Sequence, residues 1–134
     1  MNASRLFLVV DDDAHVRASL KLMLGAVGCS CDLVSSGEEA LRVVDANHHD
    51  GLLLDLHLGA GLQATDVLVA LERNAPALLP RTIISTGDPG HPIVADLARR
   101  FPIAVLSKPF AVQALREIIE RMTSPPDGNG SAAI

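Results

Sequence analysis

Four apolar runs in this chain end at or near residues suited to ionic or phosphoryl chemistry. Leu6-Phe7-Leu8-Val9-Val10 stops at Asp11-Asp12-Asp13, Leu52-Leu53-Leu54 at Asp55, Thr82-Ile83-Ile84-Ser85 at Thr86, and the run from Pro102 to Leu106 just before Lys108-Pro109. Carboxylates gathered in one small area repel, and one must take up a proton unless a cation lies between them. A hard divalent ion that prefers oxygen resolves the conflict. Magnesium fits best, because it takes one or two protein carboxylates, keeps several waters and accepts a phosphate oxygen. A carboxylate beside such an ion, with an ammonium on its other side, is poised to accept a phosphoryl group. The ion and Lys108 would neutralise charge on the transferred oxygens, and the Thr86 hydroxyl would hydrogen-bond the bound phosphoryl.

These side chains meet only if the strands carrying them lie side by side. Unbroken apolar runs suit strands covered on both faces, as in a parallel sheet. Cys29 to Val34 reads as one further strand, which makes five. Between the strands the period changes. Val16, Leu20, Met23, Leu24 and Val27 recur at helical spacing, with Asp13 placed as N-cap and Gly25 or Gly28 near the stop. Ser35-Ser36-Gly37-Glu38-Glu39 holds two overlapping capping boxes ahead of a second helix. Val67, Leu68 and Leu71 mark a third helix, closed off by Pro76, and Pro92 to about Arg100 a short fourth. Val112, Leu115, Ile118, Ile119 and Met122 give a fifth amphipathic helix. Strands alternating with helices predict an α/β fold, a doubly wound five-stranded parallel sheet flanked by five helices. In such sheets ligands bind outside the carboxyl ends of the strands, which is where the acidic residues, Thr86 and Lys108 fall. Residues 123–134, rich in Pro and Gly, show no apolar period and are expected to form a flexible tail.

The 134 residues amount to one domain. Eleven Lys and Arg against sixteen Asp and Glu leave a net charge of −5, so a basic groove for nucleic acid or an anionic membrane is not expected. Three Phe and no Trp or Tyr leave an aliphatic core and argue against base-stacking platforms. Cys29 and Cys31 read as reduced strand thiols, and no apolar run approaches membrane-spanning length, so a cytoplasmic protein is expected.

LFLVVDDD, LLLDLHL, IISTG and VLSKPF, in this order and each at a predicted strand end, resemble the receiver domains of two-component response regulators, which have a flavodoxin-like fold. The resemblance covers residues 1–122 as the domain, with its motifs from about residue 5. It implies that Asp55 is the phosphoacceptor, served by a phosphohistidine on a sensor histidine kinase or histidine phosphotransfer protein, and that phosphorylation switches binding of a downstream protein target. It further implies that Asp12 binds Mg²⁺ directly, Asp11 mainly through water, and Asp55 and the backbone carbonyl of His57 complete the protein ligands. Lys108 would pair with Asp55 or the phosphoryl oxygens, Pro109 would follow a cis bond, and Thr86 would move toward the phosphoryl group. The resemblance implies a signalling domain with at most slow autodephosphorylation rather than an enzyme. It also leaves open a homodimer through the fourth helix, fifth strand and fifth helix. Because the tail has no room for an output domain, a stand-alone receiver, or one excised from a larger protein, is expected.

The chain departs from the family pattern in two places. Gly59 stands where a proline is usual, in a loop with one extra residue, which predicts a more mobile loop. Val105 replaces the usual switch aromatic. His57 and Asp88 hold the variable positions that flank attacking water, and a pair between them would orient or block it. Two other functions compete. A haloacid-dehalogenase-like phosphohydrolase would use Asp11 and Asp13 as its D-x-D, and a receiver-like docking scaffold would never be phosphorylated. His48-His49-Asp50 reads as solvated polar residues on an exposed turn, with Asp50 leading into the third strand.

Overall fold

A computed structural model describes residues 5–123. The elements run β1 (Arg5–Val10), α1 (Ala14–Ala26), β2 (Cys29–Val34), α2 (Gly37–Ala46), β3 (Gly51–Asp55), α3 (Ala64–Asn74), a 3-10 helix (Pro76–Arg81), β4 (Thr82–Thr86), α4 (Pro92–Arg100), β5 (Ala104–Ser107) and α5 (Val112–Thr123). All neighbouring strands are parallel, in the order β2-β1-β3-β4-β5.

The unbroken apolar runs are explained by alternation across this sheet. Leu8, Val10, Leu52, Leu54 and Ile84 face one side, against Ala40, Val67, Leu68, Leu71, Val94 and Leu97 of α2, α3 and α4. Phe7, Val9, Leu53, Ile83 and Leu106 face the other, against Leu20, Leu24, Leu115 and Ile119 of α1 and α5. Both faces are therefore dry, and each fully buried Leu or Ile contributes roughly 1.5–3 kcal/mol of transfer free energy. The edge strands β2 and β5 are only partly covered, which matches their mixed sequences.

Helix starts follow the local chemistry. Asp13 caps α1 by accepting from the backbone N–H of His15 at 2.8 Å and Val16 at 3.2 Å. Neither of the two overlapping capping boxes ahead of α2 closes fully: Ser36 is the N-cap, its hydroxyl accepting from Glu39 N–H at 3.1 Å. Glu39 closes back on Ser35 N–H instead, at 3.0 Å. Glu38 is thus left to reach elsewhere.

Three expectations change here. Five helices become six when the 3-10 helix is included; Pro76 ends α3 but also starts this turn, since proline suits the first helical position. β5 begins at Ala104 rather than Pro102, because Pro102 has no N–H to give to a ladder. His49 is not on an exposed turn: its side chain is 1% exposed, and Nε2 lies 2.9 Å from Asp32 Oδ2 on the edge strand. His48 is exposed, and Asp50 leads into β3 by exchanging hydrogen bonds with the Leu6 backbone. The tail residues 124–134 lie outside the described residues, and Thr123 belongs to α5.

Candidate functional site

The strand order reverses at β1, which pairs with β2 on one side and β3 on the other. The helices leave this point in opposite directions, opening a crevice at the carboxyl ends of β1 and β3. Val10 pairs with Leu54, Asp55 with Ser85 and Thr86 with Ser107, so the residues after each strand share one rim.

Asp11 is buried, and its carboxylate accepts from Asp13 N–H at 2.9 Å. Its backbone carbonyl accepts from Arg17 Nη1 at 2.7 Å, fixing the turn into α1. Asp12 is exposed beside it, and Asp55 is buried at the end of β3. One carboxylate oxygen from each of Asp11, Asp12 and Asp55 lies within 4.8 Å of the others. Lys108 Nζ donates to Asp55 Oδ1 at 3.2 Å and to Asp11 Oδ2 at 3.4 Å. Its backbone N–H bonds Thr86 O at 2.7 Å, tying β4 to the Lys108–Pro109 turn, where the peptide bond is cis. Thr86 is buried, and its hydroxyl accepts from Asp88 N–H at 3.0 Å.

One ammonium against three carboxylates leaves the crevice negative. Burial pushes the Asp55 carboxyl up from its ordinary value; Lys108 opposes that shift and the Asp11 charge adds to it. Burial works against the Lys108 charge, but Asp55 and Asp11 outweigh it, so the ammonium is held more firmly than in a free lysine. The remaining imbalance suits a hard cation bound by oxygen, and the three carboxylates supply a donor set of that type.

The loop after β3 carries four hydrogen bonds from side chains at its ends and on α2. Leu58 N–H donates to Gln63 Oε1 at 3.2 Å, and Gln63 Nε2 donates to the carbonyls of Gly59 at 2.9 Å and Gly61 at 3.3 Å. Leu62 N–H donates to Glu38 Oε2 at 3.1 Å. Gly59 and Gly61 both have positive φ, and a Cβ on Gly59 would stand 2.7 Å from Asp12 Oδ2. Glycine is needed for this turn and for the approach of the carboxylate. Gln63 and Arg17 were missed in the sequence, and Glu38, read there as a capping-box residue, bonds Leu62 N–H instead; the position of Gln63, three residues before Asp66 at the start of α3, hinted at a capping role.

The His57–Asp88 pair does not form in the expected way. The exposed His57 ring instead stands edge-on to His91, with centroids 6.0 Å apart, and His91 Nδ1 caps α4 by accepting from Ile93 N–H at 3.1 Å. Asp13 spends its carboxylate on the α1 cap, which removes the second member of a D-x-D pair. Cys29 is buried and Cys31 half-buried, both free, with burial pushing their thiols up and away from nucleophilic use. Val105 packs partly buried against the α4 side of the core.

A family model described as the response regulator receiver domain matches residues 7–120. Response regulator MprA of Mycolicibacterium vanbaalenii is 34% identical over 129 residues, covering 94% of this chain and 54% of that protein. MprA of Mycobacterium leprae is 35% identical over 130 residues, covering 95% and 56%. The chain therefore spans about half the length of the curated relatives it matches. A CheY-like receiver domain from Methylobacillus flagellatus superposes with TM-score 0.72 at 21% identity, over 90% of this chain and 99% of that one. The receiver domain of a sensor histidine kinase from Pseudomonas aeruginosa, described with magnesium in its active site cleft, gives TM-score 0.75 at 22% identity, over 90% and 98%. The fold, the strand-end carboxylates and the family match agree, and the chain belongs to the response regulator receiver domains of two-component systems.

Proposed function

We propose that Asp55 accepts a phosphoryl group from a phosphohistidine of a sensor kinase or phosphotransfer protein, and that the modified domain changes its binding to a downstream protein target in the cytoplasm. The observation that carries this reading is the Asp55 carboxylate, buried at the switch point, 3.2 Å from the Lys108 ammonium and within reach of Asp11 and Asp12 oxygens.

Asp55 attacks the phosphorus through a carboxylate oxygen. The new O–P bond forms as the P–N bond to the donor imidazole breaks, and the imidazole leaves with the electron pair. Lys108 neutralises charge on the transferred oxygens, and the Thr86 hydroxyl, which accepts from Asp88 N–H, donates a hydrogen bond to one of them. Asp11, Asp12, Asp55 and the His57 backbone carbonyl would hold Mg²⁺, which when bound supplies positive charge to the attacking carboxylate and the phosphoryl oxygens. Turnover is limited to slow hydrolysis of the acyl phosphate, so the domain acts as a switch rather than an enzyme.

Incubation with acetyl phosphate and Mg²⁺, followed by intact mass measurement, should give one phosphoryl adduct that is absent in Asp55→Asn. An adduct that survives this substitution would move the acceptor elsewhere. No adduct in the wild type, with Mg²⁺ present, would favour an unphosphorylated docking scaffold.

A further inference from the structure

Gln63 precedes α3, and its backbone is anchored there: its N–H donates to Asp66 Oδ2 at 2.8 Å, and its carbonyl accepts from Val67 N–H at 3.1 Å. From this base the side chain turns back over the loop after β3. Its Oε1 accepts from Leu58 N–H at 3.2 Å, and its Nε2 donates to the Gly59 carbonyl at 2.9 Å and the Gly61 carbonyl at 3.3 Å. One of these partners can only donate and two can only accept, so the network leaves the amide a single orientation. A glutamate here could serve Leu58 but neither carbonyl.

Leu58 N–H belongs to the same peptide group as the His57 carbonyl. That peptide is trans, and a planar trans peptide holds its N–H and C=O in opposite directions. Anchoring the N–H on Gln63 therefore fixes the direction of the His57 carbonyl. The donated N–H also polarises the peptide, which makes its oxygen a better ligand for a hard cation. The bond to Gly59 acts on a second ligand. Asp12 is exposed, with no hydrogen bond or ion pair among the described residues, and a Cβ on Gly59 would stand 2.7 Å from its Oδ2. The Gly59 backbone thus limits where that carboxylate can stand.

We propose that Gln63 is a positioning residue for Mg²⁺, its amide setting the His57 carbonyl directly and the Asp12 carboxylate through Gly59, so that both are in place before the ion arrives. This rests on the reading of Asp11, Asp12, Asp55 and the His57 carbonyl as the Mg²⁺ ligands. Groups that orient metal ligands from behind are worth roughly 10–100-fold in affinity. Glu38, by contrast, holds only Leu62 N–H at the far end of the loop.

The test is an NMR titration of the whole chain with magnesium chloride at fixed ionic strength, following backbone amides and carbonyl carbons in wild type, Gln63→Met and Glu38→Ala. In the wild type the amides of Asp11, Asp12 and Asp55 should shift to saturation, and the His57 carbonyl carbon with them. Gln63→Met keeps the side-chain length but loses the amide; it should raise the Mg²⁺ Kd about tenfold or more and shrink the His57 carbonyl shift even at saturation. Glu38→Ala frees Leu62 N–H without touching the His57–Leu58 peptide and removes an exposed, screened charge, so it should change the Kd by about twofold or less. An unchanged Kd in Gln63→Met, a His57 carbonyl that responds equally in both proteins or in neither, or an equal loss in Glu38→Ala would overturn the proposal, the last by showing that any loosening of the loop suffices. A wild type that binds no Mg²⁺ at these residues would instead overturn the ligand reading itself, and this proposal with it. Should Gln63→Met not fold, the metal-free wild type decides: a scalar coupling across the hydrogen bond from Leu58 N to Gln63 Cδ supports the anchor, and its absence overturns it.

Discussion

Lys108 Nζ is shared between two carboxylates, 3.2 Å from Asp55 Oδ1 and 3.4 Å from Asp11 Oδ2, so one cation serves two buried anions while Asp12 stands outside the pairing. The crevice is under-neutralised by its own side chains.

That deficit sets the response to pH. Because burial raises the Asp55 pKa on folding, ionised Asp55 costs stability at neutral pH. The cost is relieved as pH falls through the raised native value and is fully gone below the unfolded value of about 3.9. Urea unfolding without Mg²⁺ should show Asp55→Asn more stable than wild type at pH 7. The gap should close on acidification; a gap that widens toward low pH would contradict the assignment.

Mg²⁺ should reverse the penalty. At a free concentration a hundredfold above Kd, binding to the native state alone adds about 2.7 kcal/mol. Thermal unfolding of the wild type should shift up by several degrees on adding Mg²⁺, and Asp12→Asn should lose most of that shift. The effect should weaken at lower pH, where protons compete for Asp55.

The two glycines of the loop after β3 should separate in their effects. Ala at either positive-φ position strains the backbone by roughly 1–2 kcal/mol. Gly59→Ala also crowds Asp12 and should weaken Mg²⁺ binding, read by titration calorimetry. Gly61→Ala crowds Glu38 instead, and should leave Mg²⁺ affinity near wild type.

A methyl at Gly51, at the start of β3, would overlap the Phe7 ring of β1. Gly51→Ala should destabilise by about 1–3 kcal/mol in urea unfolding, as overpacked cores do. Phe7→Leu in the Gly51→Ala background should recover part of the loss. Additive losses would place the strain elsewhere.

That these residues share one rim was legible in the sequence because they are strand terminators: Asp11, Asp55 and Thr86 each end an apolar run, and the sheet order brings those ends together. β2, β4 and α4 matched residue for residue, since β-branched runs, proline starts and breaker clusters are local signals. His49 was misread because its burial depends on Asp32, seventeen residues away, and a polar doublet before a strand looks the same whether buried or solvated. The bonds of Gln63 and Glu38 to the loop after β3 were not legible, because they are side-chain contacts with no local pattern.

By itself the sequence determined the fold class, the acidic chemistry at the strand ends and the family, because side-chain period and residue type act over a few positions. The tertiary structure alone decided which charges share a neighbour, and that His49 and Arg81 line one cavity. Those outcomes depend on distances between residues as far apart as Lys108 and Asp11, 97 positions along the chain, and such distances exist only once the sheet has formed.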